Sequence, residues 1–415
     1  MENALVLIFV AYIAIYLFET LLEYLNIRHL VRSSHRMPVE FEGLVEMGFL
    51  ARSQDYCMER ARFGLVASFF TNAAVLVFFF GGLLDLYNSW VASMDLPFVV
   101  SGLVFFLILL YADFLLSIPL GLYRTFWIEK KHGFNTTTPG LWAADLLKSL
   151  ALSTAFSAVV IAVGLWIVER SPGLWWLWIW SFLLAFSIFI MYLSPYLIEP
   201  LFNKFTPVEE MGLVRELKEL AGRAGIRVDK VLRMDASRRT THTNAYFTGV
   251  GSTKRIVLYD TLMESMDRDE LLTVVAHEAG HWRKRHVLKQ IVTSAAITLL
   301  VLYVSFELFK GGLLTGLFDV REETFFSKVL VMGLLLSLVS FPAEPVVNFF
   351  SRRRERAADD FALELTNNSG AMATAFVKLS KDNLANPYPH PLYVLFNYSH
   401  PPVLERIRHI REVAR

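Results

Sequence analysis

Leu271-Leu-Thr-Val-Val-Ala-His-Glu-Ala-Gly-His-Trp282 is followed closely by the apolar run 290–309. The first part reads as a helix, with Leu271, Leu272, Val274 and Val275 supplying an apolar face. The second is long enough to cross a bilayer, which takes about 20 residues of helix. The passage therefore joins a soluble unit to a membrane one, and the pattern predicts that the first helix runs on into the second. His277 and His281 stand four apart on it, so both imidazoles project from one face and can converge on a single Zn²⁺. Glu278, between them, is then aimed at a water held by such an ion, as a general base. His-Glu-x-x-His also arises by chance in long chains, so the rest of the sequence must support the reading.

That support begins with composition. Of 415 residues, 54% are hydrophobic and only 19% charged. Seven apolar stretches reach spanning length: 3–26, 64–86, 98–120, 149–168, 174–198, 290–309 and 327–350. Any one of them could be a buried core helix, but seven rich in Phe, Trp and Leu predict an integral membrane protein. The first lacks a basic leader and a small-residue cleavage pattern, so we read it as a retained span. With Cys57 the single cysteine, a Cys-rich metal site is excluded and His and carboxylate must serve instead. The net charge of +1 gives no reason to expect nucleic acid as a partner.

Lys and Arg gather after the first and third stretches (Arg28 to Arg62; Arg124 to Lys148) and are scarce after the second and fourth. The positive-inside rule then predicts an outside N-terminus and a cytoplasmic C-terminus. Segments 201–289 and 351–415, both polar, fall on the cytoplasmic side. The expected organisation is residues 1–200 as the first five spans with their loops, and 290–350 as the last two. Segments 201–289 and 351–415 form the two halves of one α+β domain. Within the first half, 214–224 reads as an amphipathic helix, and 226–232 and 254–259 as strands. Residues 244–251 form a short β segment ending in glycines. Residues 352–366 and 403–414 read as helices separated by a Pro-rich loop, 386–402.

A catalytic zinc takes three protein ligands and leaves a position open. After His277 and His281, the best third candidate is Glu355, in Ser351-Arg-Arg-Arg-Glu-Arg-Ala-Ala-Asp359. Asp359, one turn on, is placed to accept the other ring N–H of a ligating histidine. A basic flank to the last span, with scattered carboxylates, explains the same residues and stays open at this point.

The strings His277-Glu-Ala-Gly-His-Trp282, Asn348 to Asp359 and Tyr398-Ser-His-Pro-Pro-Val-Leu-Glu-Arg-Ile407 resemble the CAAX prenyl endopeptidase type 1 family of integral-membrane zinc proteases. His132 to Thr138, Pro200 to Pro207 and Thr243 to Phe247 are similar to further blocks of that family, in the same order. The resemblance implies one zinc ion on His277, His281 and Glu355, with Asp359 behind them. It also implies a chamber enclosed by the seven helices and capped by the zinc domain. Carboxylates in or near the spans (Glu19, Glu23, Asp113 and Glu344) independently suggest buried water.

The fold class expected is thus mainly α: a polytopic membrane protein of seven transmembrane helices around a chamber, with a discontinuous α+β cytoplasmic zinc-protease domain. The activity expected is hydrolysis of peptide bonds in prenylated or membrane-associated substrates. His400 is the candidate donor to the oxyanion. Asn244 and Ala245, on an edge strand, are candidates to bind substrate by strand addition, and Arg406, supporting the same region as His400, is counted with the substrate-binding residues. His242, His286 and His390 are read as surface or packing residues. The family's eukaryotic members process prenylated CAAX peptides. Here the terminus Arg411 to Arg415 carries no ER-retrieval signal and the loops are compact, so a bacterial inner membrane is expected before the endoplasmic reticulum. Membrane-protein quality control is the alternative within the protease class. A transporter or channel with a regulatory zinc domain is the rival outside it, but gives Glu278 no task.

Overall fold

A computed structural model describes residues 2–33, 36–46, 48–249, 253–311 and 313–414. The chain opens with α1 (Glu2–Ser33), α2 (Phe49–Phe80), α3 (Leu83–Ala92), α4 (Phe98–Tyr123), α5 (Pro139–Arg170), α6 (Trp175–Leu193) and the short α7 (Glu199–Phe202). Next come β1 (Phe205–Pro207), α8 (Met211–Arg223), β2 (Arg227–Met234), β3 (Ala245–Thr248), β4 (Thr253–Tyr259), α9 (Asp260–Ser265) and α10 (Arg268–Arg283). α11 (His286–Phe309), α12 (Leu313–Gly316) and α13 (Phe325–Thr366) lead out and back, and α14 (Ser369–Asp382), α15 (Pro391–Asn397) and α16 (Val403–Val413) complete the chain. Among the described residues seven helical segments are long and apolar enough to cross a membrane, and each overlaps one of the seven stretches read from hydropathy.

Four local expectations are corrected. The second span ends at Phe80, because Gly81 and a left-handed Gly82 (φ 80°) break the helix there, and α3 starts afresh. The His-Glu-x-x-His helix does not continue into the sixth span. It stops at Arg283, Arg285 turns the chain through a left-handed conformation (φ 55°), and α11 begins at His286. Conversely, 352–366 is no separate helix but the end of the 42-residue α13, which leaves the apolar region as one continuous helix although Pro342 and Pro345, lacking an N–H, interrupt its hydrogen-bond ladder. Finally, the Pro-rich loop contains α15, started by His390 and Pro391. Of the segment 244–251, β3 forms as expected, while 250 and 251 lie outside the described residues.

The sheet has the order β1-β2-β4-β3, with β2 and β4 parallel and both outer pairs antiparallel, so β3 is an edge strand. One continuous apolar core joins the two polar halves. It takes Leu213, Leu217 and Leu220 from α8, Ile256 and Leu258 from β4, and Val275, Ala276 and Ala279 from α10. To these it adds Ala362 and Leu365 from α13 and Leu404, Ile407 and Ile410 from α16. Amphipathic spacing on α8 and α16 puts those leucines and isoleucines on one face, and their removal from water holds the domain together. Separate aromatic clusters, such as Phe98 against Phe326 (centroids 5.3 Å), bind α13 to the helical bundle.

A cavity of about 640 Å³ lies among α1, α2, α13 and the loops around α15, lined by Glu19, Glu23 and Arg60 among others. Two of the four carboxylates singled out in the spans thus face a polar void.

Candidate metal centre

Asp267 starts α10 with a capping box: its side chain accepts from the Glu270 N–H (3.1 Å), and Glu270 accepts from the Asp267 N–H (2.9 Å). From this fixed start the helix delivers His277 and His281 to α13. The approach is close because position 280 is glycine. A Cβ there would lie 3.0 Å from both Cα and the carbonyl oxygen of Ala358.

The two helices bring three donors together. His277 Nε2 and His281 Nε2 are 3.2 Å apart, and each is 3.4 Å from an oxygen of Glu355. Glu355 Oε2 is buried with no hydrogen-bond partner among the described residues. His400 Nδ1 comes within 2.7 Å of that oxygen without the alignment of a hydrogen bond. A small cation held tetrahedrally at about 2.0–2.1 Å has donor–donor edges of roughly 3.3–3.4 Å, so the triangle is the size such an ion needs. A buried carboxylate set against two imidazole nitrogens, one at each oxygen, is costly until a cation joins them.

Around the triangle the partners are specific. Asp359 Oδ1 sits 2.8 Å from His277 Nδ1, which leaves Nε2 for the ion. Burial opposes a charge on His277, but Asp359 and Glu355 outweigh it and lift its pKa to about 9. Arg406 donates to both oxygens of Asp359, at 2.6 and 2.9 Å, with its guanidinium over the Phe376 ring. Arg406 is therefore spent behind the ligands and is not on the cleft wall. The expectation that it meets substrate is corrected, since the buried Asp359 needs a cation more than the open cleft does.

His286, passed over in the sequence, is buried with Nδ1 3.0 Å from Nδ1 of His281. As His281 points Nε2 at the triangle, its Nδ1–H donates to His286, which does for His281 what Asp359 does for His277. The left-handed Arg285 makes that contact by reversing the chain. No spacing rule marks it.

The cleft over these residues, about 310 Å³, is lined by Phe247 of β3, Glu278, Trp282, Gln290, Arg354 and His400 among others. Glu278 stands half-buried on its wall, and burial raises its carboxyl above the ordinary range, against the pull of His277 and His281. His400, 62% exposed in its side chain, stands at the opening. Arg352 fixes its loop by donating to the carbonyls of Val394 and Tyr398 (3.0 and 2.7 Å). Asn244 and Ala245 do not line the cleft. Phe247, further along the same strand, does, and the outer edge of β3 has no strand partner among the described residues.

Comparison with known proteins decides the lineage. Residues 207–414 match peptidase family M48, and 26–204 match the CAAX prenyl protease N-terminal region of five membrane helices. The chain belongs to peptidase family M48. It is 31% identical to CAAX prenyl protease 1 of Saccharomyces cerevisiae, over 95% of this chain and 92% of that one. It is also 31% identical to the uncharacterized metalloprotease YhfN of Bacillus subtilis, over 83% and 84% of the two chains. The crystal structure of S. mikatae Ste24p superposes with a TM-score of 0.90 and 29% identity, covering 99% of both. This M48 chain is thus a multi-pass membrane metalloendopeptidase that acts on peptides.

Proposed function

We propose that one Zn²⁺ is held by His277, His281 and Glu355, and that the peptidase cleaves lipid-modified peptides at the mouth of the membrane bundle. The observation that carries this is the donor triangle itself, with Glu278 on the cleft wall beside it. Bound there, zinc supplies Lewis acidity to the scissile carbonyl and to the attacking water. Glu278 takes a proton from that water and later passes it to the leaving amine. His400, exposed at the opening, donates to the oxyanion. The outer edge of β3, which has no strand partner among the described residues, pairs with an extended substrate through backbone bonds once the Ala245 N–H leaves Asn244 Oδ1 (2.8 Å), and Phe247 carries that edge to the cleft. Asp359 and Arg406 hold His277 in one tautomer.

The two polar segments, 201–289 and 351–415, act as one domain, as their shared core supports. The distribution of Lys and Arg favours a cytoplasmic domain and an outside N-terminus. Compact loops favour a bacterial inner membrane. The names of relatives support prenylated CAAX-type peptides as substrates. Prenyl-independent quality control is the reading that fits if unmodified membrane peptides are cut equally well.

The test compares the purified chain with Glu278→Gln on a farnesylated peptide. The variant should retain zinc by elemental analysis and lose about 10²- to 10⁴-fold in kcat. Equal cleavage by both proteins would refute the assignment of Glu278.

A further inference from the structure

Two separate voids meet beside the metal centre. The cleft over the triangle and a groove of about 540 Å³ between α6 and α11 share Val287 and Gln290 in their walls. From Val287 to Thr298 the groove follows α11 for about 16 Å, at about 1.5 Å rise per residue. Its wall is largely apolar, with Trp180, Leu183 and Leu184 facing Val287, Ile291 and Ala295. The polar groups in it are neutral: Ser187, Gln290, Ser294 and Thr298, with no ionised side chain. Towards the far end the Trp180 indole N–H donates to the Ala295 carbonyl (2.8 Å) and ties the helices together. Both helices belong to the segments long and apolar enough to cross a membrane, so the groove runs along two candidate spans.

The geometry points to this groove as the subsite for the hydrocarbon chain of a lipid-modified substrate. A chain entering at Val287 is held alongside α11 while the peptide to which it is joined lies over His277 and Glu278. The class follows from the wall. A charged or strongly polar peptide segment would leave its groups without partners there, whereas a neutral, unbranched or isoprenoid chain needs none. The length points the same way, since about 16 Å is far deeper than an amino-acid side chain reaches. An uncharged groove of this size, meeting the catalytic cleft at Val287 and Gln290, has the volume of a ligand pocket as well. This inference rests on the proposed peptidase action, and its test is arranged so that the two can fail separately.

In nanodiscs, the full chain would be assayed on one peptide with and without a farnesyl thioether, alongside Ser294→Trp and Ser187→Trp, which fill the groove from opposite walls. Val292→Trp, on the exposed side of the same helix, serves as the control. The parent should prefer the farnesylated peptide in kcat/KM. Each filling variant should cut that preference about tenfold, chiefly through KM, while the control keeps it. In parallel, a farnesylated peptide with a diazirine on its isoprenoid would be photolysed on Glu278→Gln, expecting adducts at Leu184, Ile291 or Ser294. The inference is overturned if the parent shows no preference, if filling leaves the preference intact, or if the adducts map outside the groove. It is equally overturned if a diazirine phosphatidylcholine labels the groove and farnesylated peptide does not displace it, for then a bilayer lipid is the occupant. Absence of Glu278-dependent cleavage of either peptide would instead refute the peptidase reading, while the adduct map would still decide the groove.

Discussion

Gly280→Ala is the substitution to which the metal centre should be most sensitive without any ligand being touched. The added Cβ would sit 3.0 Å from Ala358 Cα and from its carbonyl oxygen, and 3.3 Å from its Cβ. Comfortable contact between carbon atoms is about 3.5–4.0 Å, so α10 and α13 must separate by roughly 0.5–1 Å. His277 and His281 ride on one helix, Glu355 and Asp359 on the other. Metal–ligand distances tolerate only about 0.2 Å, so the separation should weaken metal binding at least about tenfold. Overpacking of this kind should also cost about 1–3 kcal/mol of stability. Competition with a graded series of chelators measures the first effect, and thermal unfolding in detergent the second. Adding Ala358→Gly should restore little, because two of the three crowded atoms are backbone. Parent-like metal affinity in Gly280→Ala would refute the claim that this contact sets the triangle, and full rescue by Ala358→Gly would refute the geometry argued for it.

Three further outcomes are expected. Arg406→Met leaves the buried Asp359 carboxylate without its cation and should cost about 3–5 kcal/mol, much of it recovered in the double variant with Asp359→Asn; additive losses in that cycle would deny the coupling. His286→Phe should weaken metal binding about 10- to 100-fold, and His286→Asn, which keeps an acceptor, should recover part of it; equal affinities in a chelator titration would assign His286 to packing alone. Glu40, buried in the loop after α1, pairs with Arg408 of α16 at 2.6 Å. Burial alone would raise its carboxyl pKa, but Arg408 and Arg411 pull it below the ordinary value. Its contribution is therefore complete above the unfolded carboxylate pKa and lost as pH falls through the lower folded one. Glu40→Gln should flatten the unfolding midpoint on the acid side, and an unchanged pH profile would count against this tether.

The spans were legible because hydropathy averages over some twenty residues, and no packing detail can hide a signal of that length. Breaks caused by one or two residues were not. Gly81-Gly82 ends a helix, and Arg285, which nothing in its type marks for a left-handed turn, ends another. The change from apolar to charged at Ser351 suggested a boundary, yet the helical ladder is indifferent to what surrounds it and α13 continues. Within the centre, the nearby pair His277 and His281 could be read from helical spacing, and Glu355 with Asp359 could be nominated as one turn of a helix. The partners Arg406 and His286 depend on how α16 packs against α13 and on one backbone reversal. Such tertiary facts leave no period in the sequence.

The division of the centre between α10 and α13 bears on how the protein comes into being. A ribosome has finished both histidines long before it reaches Glu355, and between them lie α11 and the apolar length of α13. Until that pair has entered the bilayer and the chain has returned, the nascent peptidase owns two of the three proposed ligands and no Asp359 to orient them. Correct topology is thus a precondition of hydrolytic competence, and a chain that stalls or inserts upside down is born harmless.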